Sequence, residues 1–197
     1  MTQAKPRFRT IEEYLDYDDG TDIRYELVDG ELVEMPPESR LNRQIASFLF
    51  EVFLRLGLPS RLLAIGTQIT VTNRKVTARQ PDFVVLSQDC ADALDGANRD
   101  VITSNIPSPT LVVEIVSPGN PGSENYDRDY IEKRKEYALR EISEYWIIDP
   151  NRSAVTVLAL NGNEYQEIGC FQDNNFIISL VFPALQVTAK QILQAGM

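Results

Sequence analysis

The chain has 197 residues, 43% hydrophobic and 24% charged, which is ordinary material for one packed domain. Twenty-nine acidic residues against 19 basic ones give a formal charge of −10, which argues against a protein that coats a polyphosphate. His is absent, and with it go Ser–His–Asp triads, His-ligated zinc and imidazole acid–base chemistry.

No apolar stretch follows residues 1–7, so no signal peptide is expected. No apolar run approaches the roughly 18–20 residues that span a bilayer, and a cytoplasmic protein is expected. Cys90 and Cys170 have neither metal-cluster nor disulfide-framework spacing and read as buried or inert thiols. Thr10-Ile11-Glu12-Glu13 reads as a capping box that opens a short helix to about Tyr17. Asp29-Gly30 between Tyr25-Glu26-Leu27-Val28 and Glu31-Leu32-Val33-Glu34-Met35 predicts a hairpin, because that pair tolerates the positive φ of a type I′ turn. Pro36-Pro37 ends the second strand. Leu41, Ile45, Phe48, Leu49, Val52, Phe53 and Leu56 recur at helical spacing, and Gly57 and Pro59 close that helix. Residues 62–72 alternate weakly, a turn is expected at Asn73-Arg74-Lys75, and Phe83-Val84-Val85-Leu86 is a strand. Residues 88–109 read as the longest irregular connection. Leu111 to Val116 is a continuous apolar run with one charge, as suits a strand covered on both faces. Residues 127–140 predict a helix, Tyr145-Trp146-Ile147-Ile148 a strand, and residues 155–170 a second hairpin around Asn161-Gly162-Asn163. Thr188 caps a short closing helix. The order of elements predicts one α/β domain with a mixed sheet.

Glu114 is the most informative residue. A carboxylate among Leu111, Val112, Val113, Ile115 and Val116 costs several kcal/mol to bury without partners. It is either paired with an arginine at a strand end or a metal ligand or general base in a cleft. Asp82, after Pro81, alone would cap a turn. Its strand can neighbour that of Glu114, however, and the two carboxylates can then converge. Paired carboxylate oxygens are what Mg²⁺ or Mn²⁺ requires, and such an ion acidifies water and neutralises charge on a phosphoryl oxygen. Tyr130, Lys133 and Tyr137 form one helical stripe, from which Lys133 either reaches a partner or makes a surface pair with Asp129, four residues earlier. Glu26 is a further acidic candidate, equally readable as solvent-facing. Arg128, Lys133, Arg134, Lys135 and Arg140 read as a solvated basic face, with phosphate contact as the alternative. Tyr145 and Trp146 read as core. Residues 117–122 are rich in Gly and Pro but lack the Gly-Lys-Ser/Thr ending of a P-loop.

Four segments, Tyr25-Glu26-Leu27-Val28-Asp29-Gly30-Glu31, Pro81-Asp82-Phe83-Val84-Val85-Leu86, Leu111 to Pro118 and Glu144-Tyr145-Trp146-Ile147-Ile148-Asp149-Pro150, together resemble the Uma2 family. This mainly bacterial group, abundant in cyanobacteria, is associated with endonuclease activity and the restriction-endonuclease-like PD-(D/E)xK fold. The resemblance covers about residues 10–195 and implies a single nuclease-like domain over 1–197, with a central mixed sheet flanked by helices. It implies Asp82 as the Asp of the Pro-Asp motif and Glu114 as the acidic residue of (D/E)xK. Ile115 would offer its backbone carbonyl to the metal, and Glu26 is the acidic residue of the first element. The general pattern has Lys where Val116 stands, but Uma2-like sequences resemble one another in a lysine on the following helix, the place of Lys133. A His common in the family is replaced by Asn42. The activity implied is a Mg²⁺- or Mn²⁺-dependent endonuclease acting on nucleic acid, DNA foremost, as a homodimer. The alternative is an inactive nuclease-fold module that binds nucleic acid or protein. A metal-free glycosidase with two carboxylates is a third class, one that needs no Lys133.

Overall fold

The computed structural model describes residues 6–18, 20–21, 23–35, 37, 39–71, 76–117 and 119–195. Residues 1–5, Pro36, the expected turn at Asn73-Arg74-Lys75 and Pro118 therefore lie outside the described residues. The chain begins with α1 (Ile11–Leu15), whose Thr10 side chain accepts from the Glu13 amide. Glu13 reaches back to the Arg9 amide, so only half of the expected capping box forms at Thr10. The hairpin β1 (Tyr25–Val28) and β2 (Glu31–Glu34) turns through Asp29 and Gly30, at φ 53° and 81°, as Asp-Gly predicts. Helix α2 (Arg40–Arg55) starts at a Ser39 cap. The weakly alternating stretch is two short strands, β3 (Leu63–Ala64) and β4 (Gln68–Val71), followed by β5 (Thr77–Arg79) and β6 (Phe83–Val85).

Residues 88–109 are not one irregular connection. They hold α3 (Gln88–Leu94), capped by the Ser87 side chain, and β7 (Val101–Ile102). The cap and two buried side chains, Cys90 and Ala91, stabilise a seven-residue helix too short and too polar to show a clear period. Then come β8 (Leu111–Ile115), α4 (Glu124–Asp127), a π-helical turn (Arg128–Glu132), α5 (Lys133–Leu139), β9 (Glu144–Asp149), β10 (Ala154–Asn161), β11 (Glu164–Phe171) and α6 (Ala189–Leu193). The helix predicted over 127–140 is thus interrupted. Lys133 N–H bonds the Arg128 carbonyl, and the Asp129 carbonyl is taken by the buried Tyr145 hydroxyl at 2.9 Å. A side chain inserted into the ladder is a common cause of such a π turn.

The α/β architecture with mixed sheets and flanking helices is as expected, but the strands divide between two sheets. The larger runs β11-β10-β9-β8-β6-β3, with only β8 and β9 parallel; the smaller runs β2-β1-β5-β4-β7. Alternation along β8 and β9 assigns two faces. Leu111, Val113, Ile115, Trp146 and Ile148 pack with Ile45, Leu49 and Phe53 of α2, while Val112, Val116, Tyr145 and Ile147 pack with Tyr137 of α5 and Ile69 and Val84. Glu114 shares parity with Val112 and so faces α5. Both faces of β8 are buried, as its apolar run predicts. Tyr145 and Trp146 are core residues, as expected. Cys90 is buried, but Cys170 is exposed because β11 is an edge strand. No helix among the described residues is long and apolar enough to cross a membrane.

Candidate active site

The antiparallel register pairs Phe83 with Val113, so one step outward brings Asp82 opposite Glu114. The half-buried Asp82 accepts the Ile115 N–H on Oδ2 at 2.6 Å, which fixes its carboxylate against the strand that carries Glu114. Glu114 is 4% exposed, and its two oxygens have different partners. The Tyr137 hydroxyl donates to Oε1 at 2.7 Å, and Lys133 Nζ is 2.9 Å from Oε2.

Lys133 neither snorkels nor makes a surface pair. Its ammonium is buried, 3.1 Å from Glu26 Oε1 and 3.4 Å from Asp129 Oδ1 as well as close to Glu114. Asp129 is the partner expected from i, i+4 spacing, but it is itself buried and also paired with Arg128 at 3.1 Å. Glu26 is fully buried rather than solvent-facing. Its Oε1 accepts the Gln80 amide, and its Oε2 is 3.2 Å from an Arg79 nitrogen. Arg79 in turn binds Glu136 through two nitrogens, at 2.7 and 2.9 Å, and Glu132 at 3.3 Å. The site is thus a chain of alternating charges linking the small sheet, α5 and β8. Arg79 and Glu136 were not singled out from the sequence. The one signal available was a cation in a three-residue strand two positions before Pro81-Asp82.

The basic residues of the helical segment 128–140 do not share one face. Arg128 and Lys133 point into this network. Arg140 is buried on the far side, where it donates to the carbonyls of Thr103 and Ile106 and to the Ser108 hydroxyl. No single solvated basic face exists.

Charge within the cluster is unbalanced. Burial raises the Glu114 carboxyl, Asp82, Asp129 and Glu26 raise it further, and Lys133 only partly opposes them; it is pushed up to about 8. Burial also works against the Lys133 ammonium, but Glu114, Glu26 and Asp129 outweigh it and hold this lysine protonated, well above its ordinary range. Burial raises Glu26 too, yet Lys133 and Arg79 prevail and hold it low. A divalent cation beside Asp82 and Glu114 would offset the surplus. Among the described residues no three acidic, His or Cys side chains form a ready metal cage. Two carboxylates with retained waters and a substrate phosphate are, however, the usual holding of Mg²⁺. The Ile115 carbonyl accepts the Asn42 side-chain amide at 3.0 Å, and a carbonyl oxygen has a second acceptor direction. The donor set therefore fits a hard divalent ion. Val116, where the general pattern has lysine, is buried in the core, and the ammonium beside Glu114 belongs instead to Lys133 on α5, the helix that covers this face.

A model of the Uma2 family, described as "Putative restriction endonuclease", matches residues 11–190, and the chain belongs to that family. The fold is similar to the crystal structure of a "putative nuclease belonging to DUF820" from Anabaena variabilis, with TM-score 0.70 and 19% identity over 95% of this chain and 99% of that one. No curated protein matches the chain.

Proposed function

We propose that this Uma2-family protein hydrolyses phosphodiester bonds of nucleic acid, DNA foremost, with Mg²⁺ or Mn²⁺ held by Asp82 and Glu114 and assisted by the Ile115 carbonyl. The observation that carries the reading is the approach of Lys133 Nζ to Glu114, with Asp82 in register across the strand pair. When bound, the ion supplies charge neutralisation and a more acidic water. The remaining work belongs to the chain. Lys133, kept protonated by three carboxylates that also take its three N–H directions, contributes positive charge toward a phosphoryl oxygen and does not act as a base. Tyr137 fixes the Glu114 rotamer, and the Ile115 N–H fixes Asp82. Glu26, itself gripped by Arg79, aims the ammonium. The active form is proposed to be a homodimer, working in the cytoplasm.

The test is cleavage of plasmid, single-stranded DNA and RNA with Mg²⁺ or Mn²⁺, beside chelated controls. Asp82→Asn should lower the metal-dependent rate at least about 10³-fold. Full activity in that variant would overturn the site. A second reading, a binding module without turnover, is favoured by one observation: Tyr137, Lys133 and Asn42 already occupy acceptor directions of Glu114 and Ile115. It predicts nucleic-acid or protein binding indifferent to chelator, and no cleavage of any of these substrates.

A further inference from the structure

Beside the carboxylate centre lies a cluster that the hydrolysis does not use. Tyr126 and Tyr130 stack with centroids 4.3 Å apart and planes 10° from parallel. The Arg152 guanidinium carbon is 5.1 Å from one ring centroid and 5.6 Å from the other. With centroids only 4.3 Å apart, those two distances put the guanidinium beside the stack and not on its end. The outer ring face is left uncovered by these partners, and both tyrosines are only half-buried.

The cluster is anchored from beneath. Asp149, 1% exposed, accepts the Tyr130 hydroxyl at 2.9 Å and pairs with Arg152. A second Arg152 nitrogen donates to the Gly119 carbonyl at 2.9 Å. Gly119 is required there, since a Cβ would stand 2.7 Å from Ser123 Oγ and 3.2 Å from the Tyr126 nitrogen. The loop is therefore pressed onto the start of α4 and holds the arginine at the stack. The cluster also adjoins the site. Ile115 pairs with Ile148, the neighbour of Asp149, and Tyr130 follows Asp129, whose carboxylate touches Lys133.

A flat aromatic surface with a guanidinium at its edge, next to a centre for phosphoryl chemistry, matches one ligand chemistry. A nucleobase stacks on a ring face without regard to its identity, and the arginine meets the phosphate of the same nucleotide. In a duplex both faces of an interior base are covered by its neighbours. We propose that Tyr126, Tyr130 and Arg152 seat one unpaired nucleobase and its phosphate beside the scissile bond, so that the protein prefers single-stranded or locally melted nucleic acid. This rests on the nuclease reading above.

The experiment is fluorescence anisotropy in chelator, so that nothing is cut, with a labelled single-stranded oligo-dA of about 12 nucleotides and a blunt hairpin duplex of similar length. Wild type should bind the single strand more tightly. Tyr126→Leu, which keeps bulk but removes the ring, should weaken single-strand binding roughly tenfold while leaving duplex binding alone. Tyr126→Phe should bind as wild type, and Arg152→Gln should weaken single-strand binding and flatten its salt dependence. Wild-type affinity in Tyr126→Leu, equal loss on both probes, or no preference in wild type overturns the seat and leaves the nuclease reading standing. Failure of wild type to bind the single strand overturns the seat, and the nuclease reading is then decided by the metal-dependent cleavage test above.

Discussion

Two buried carboxylates on adjacent parallel strands meet opposite fates. Glu144, at the start of β9, is fully buried and accepts from the Trp146 indole at 2.7 Å, the Ser179 hydroxyl at 2.7 Å and the Leu180 amide at 2.8 Å. Each of those donors is neutral, and together they tie the segment after β11 onto the sheet. Glu114, near the end of β8, has an ammonium and a phenol for partners and three further carboxylates close enough to raise its pKa. Burial is common to both and so identifies neither as functional. What separates them is charge. The Glu144 carboxylate is satisfied by neutral donors, whereas the cluster around Glu114 holds more negative charge than its cations offset. Buried ion pairs contribute little net stability, so a cluster of this kind is better explained by its chemistry than by its strength.

The largest effect that would test the contrast comes from the same change at both positions. Glu114→Gln should lower metal-dependent cleavage about 10³-fold, with stability in chelator within about 1 kcal/mol of wild type, because Glu26 and Asp129 still partner Lys133. Glu144→Gln should do the reverse: a loss of about 1–3 kcal/mol in denaturant unfolding, with unchanged activity per folded molecule. Equal behaviour of the two variants would remove the distinction. Next is Lys133→Met, which leaves three carboxylates around an uncharged side chain. It should destabilise by about 3–5 kcal/mol, and Glu114→Gln in the same chain should restore part of that loss, as a double-mutant cycle would measure. The smallest effect concerns pH. Glu26 is held below its ordinary value, so its contribution is present above about pH 4–5 and is lost as pH falls through the lowered value. The stability advantage of wild type over Glu26→Gln should therefore shrink when unfolding is measured at pH 3 to 4 instead of about pH 7. An advantage that stays constant would mean that Glu26 is not held by Lys133 and Arg79.

Much of the frame was readable where local chemistry and global packing agree. Asp29-Gly30 forces one turn type, α2 shows its buried face in Ile45, Leu49 and Phe53, and the run from Leu111 to Val116 needs cover on both sides. Asp82, Glu114 and Lys133 were legible because each breaks a local expectation: an acid in an apolar strand, an acid behind a proline, a lysine within an aromatic stripe. Their mutual distances were not, because they depend on the packing of α5 over β8. Arg79, Glu136 and the burial of Asp129 escaped for another reason. A charge in a short strand or on a mixed helix face looks solvated until a second layer covers it, and here the small sheet and the helical segment that ends in α5 cover each other. The division into two sheets was itself hidden, since strand pairing over long separations leaves no local mark. The π turn depends on a hydroxyl from Tyr145, sixteen residues beyond the carbonyl that it captures.

The proposal that Glu114 and Asp82 hold a divalent cation is tested most directly by calorimetric titration of Mn²⁺ into the purified chain beside Asp82→Asn and Glu144→Gln. Wild type and Glu144→Gln should show the same carboxylate-held site, and Asp82→Asn should lose it. Binding that survives in Asp82→Asn, or that Glu144→Gln weakens equally, would contradict the account.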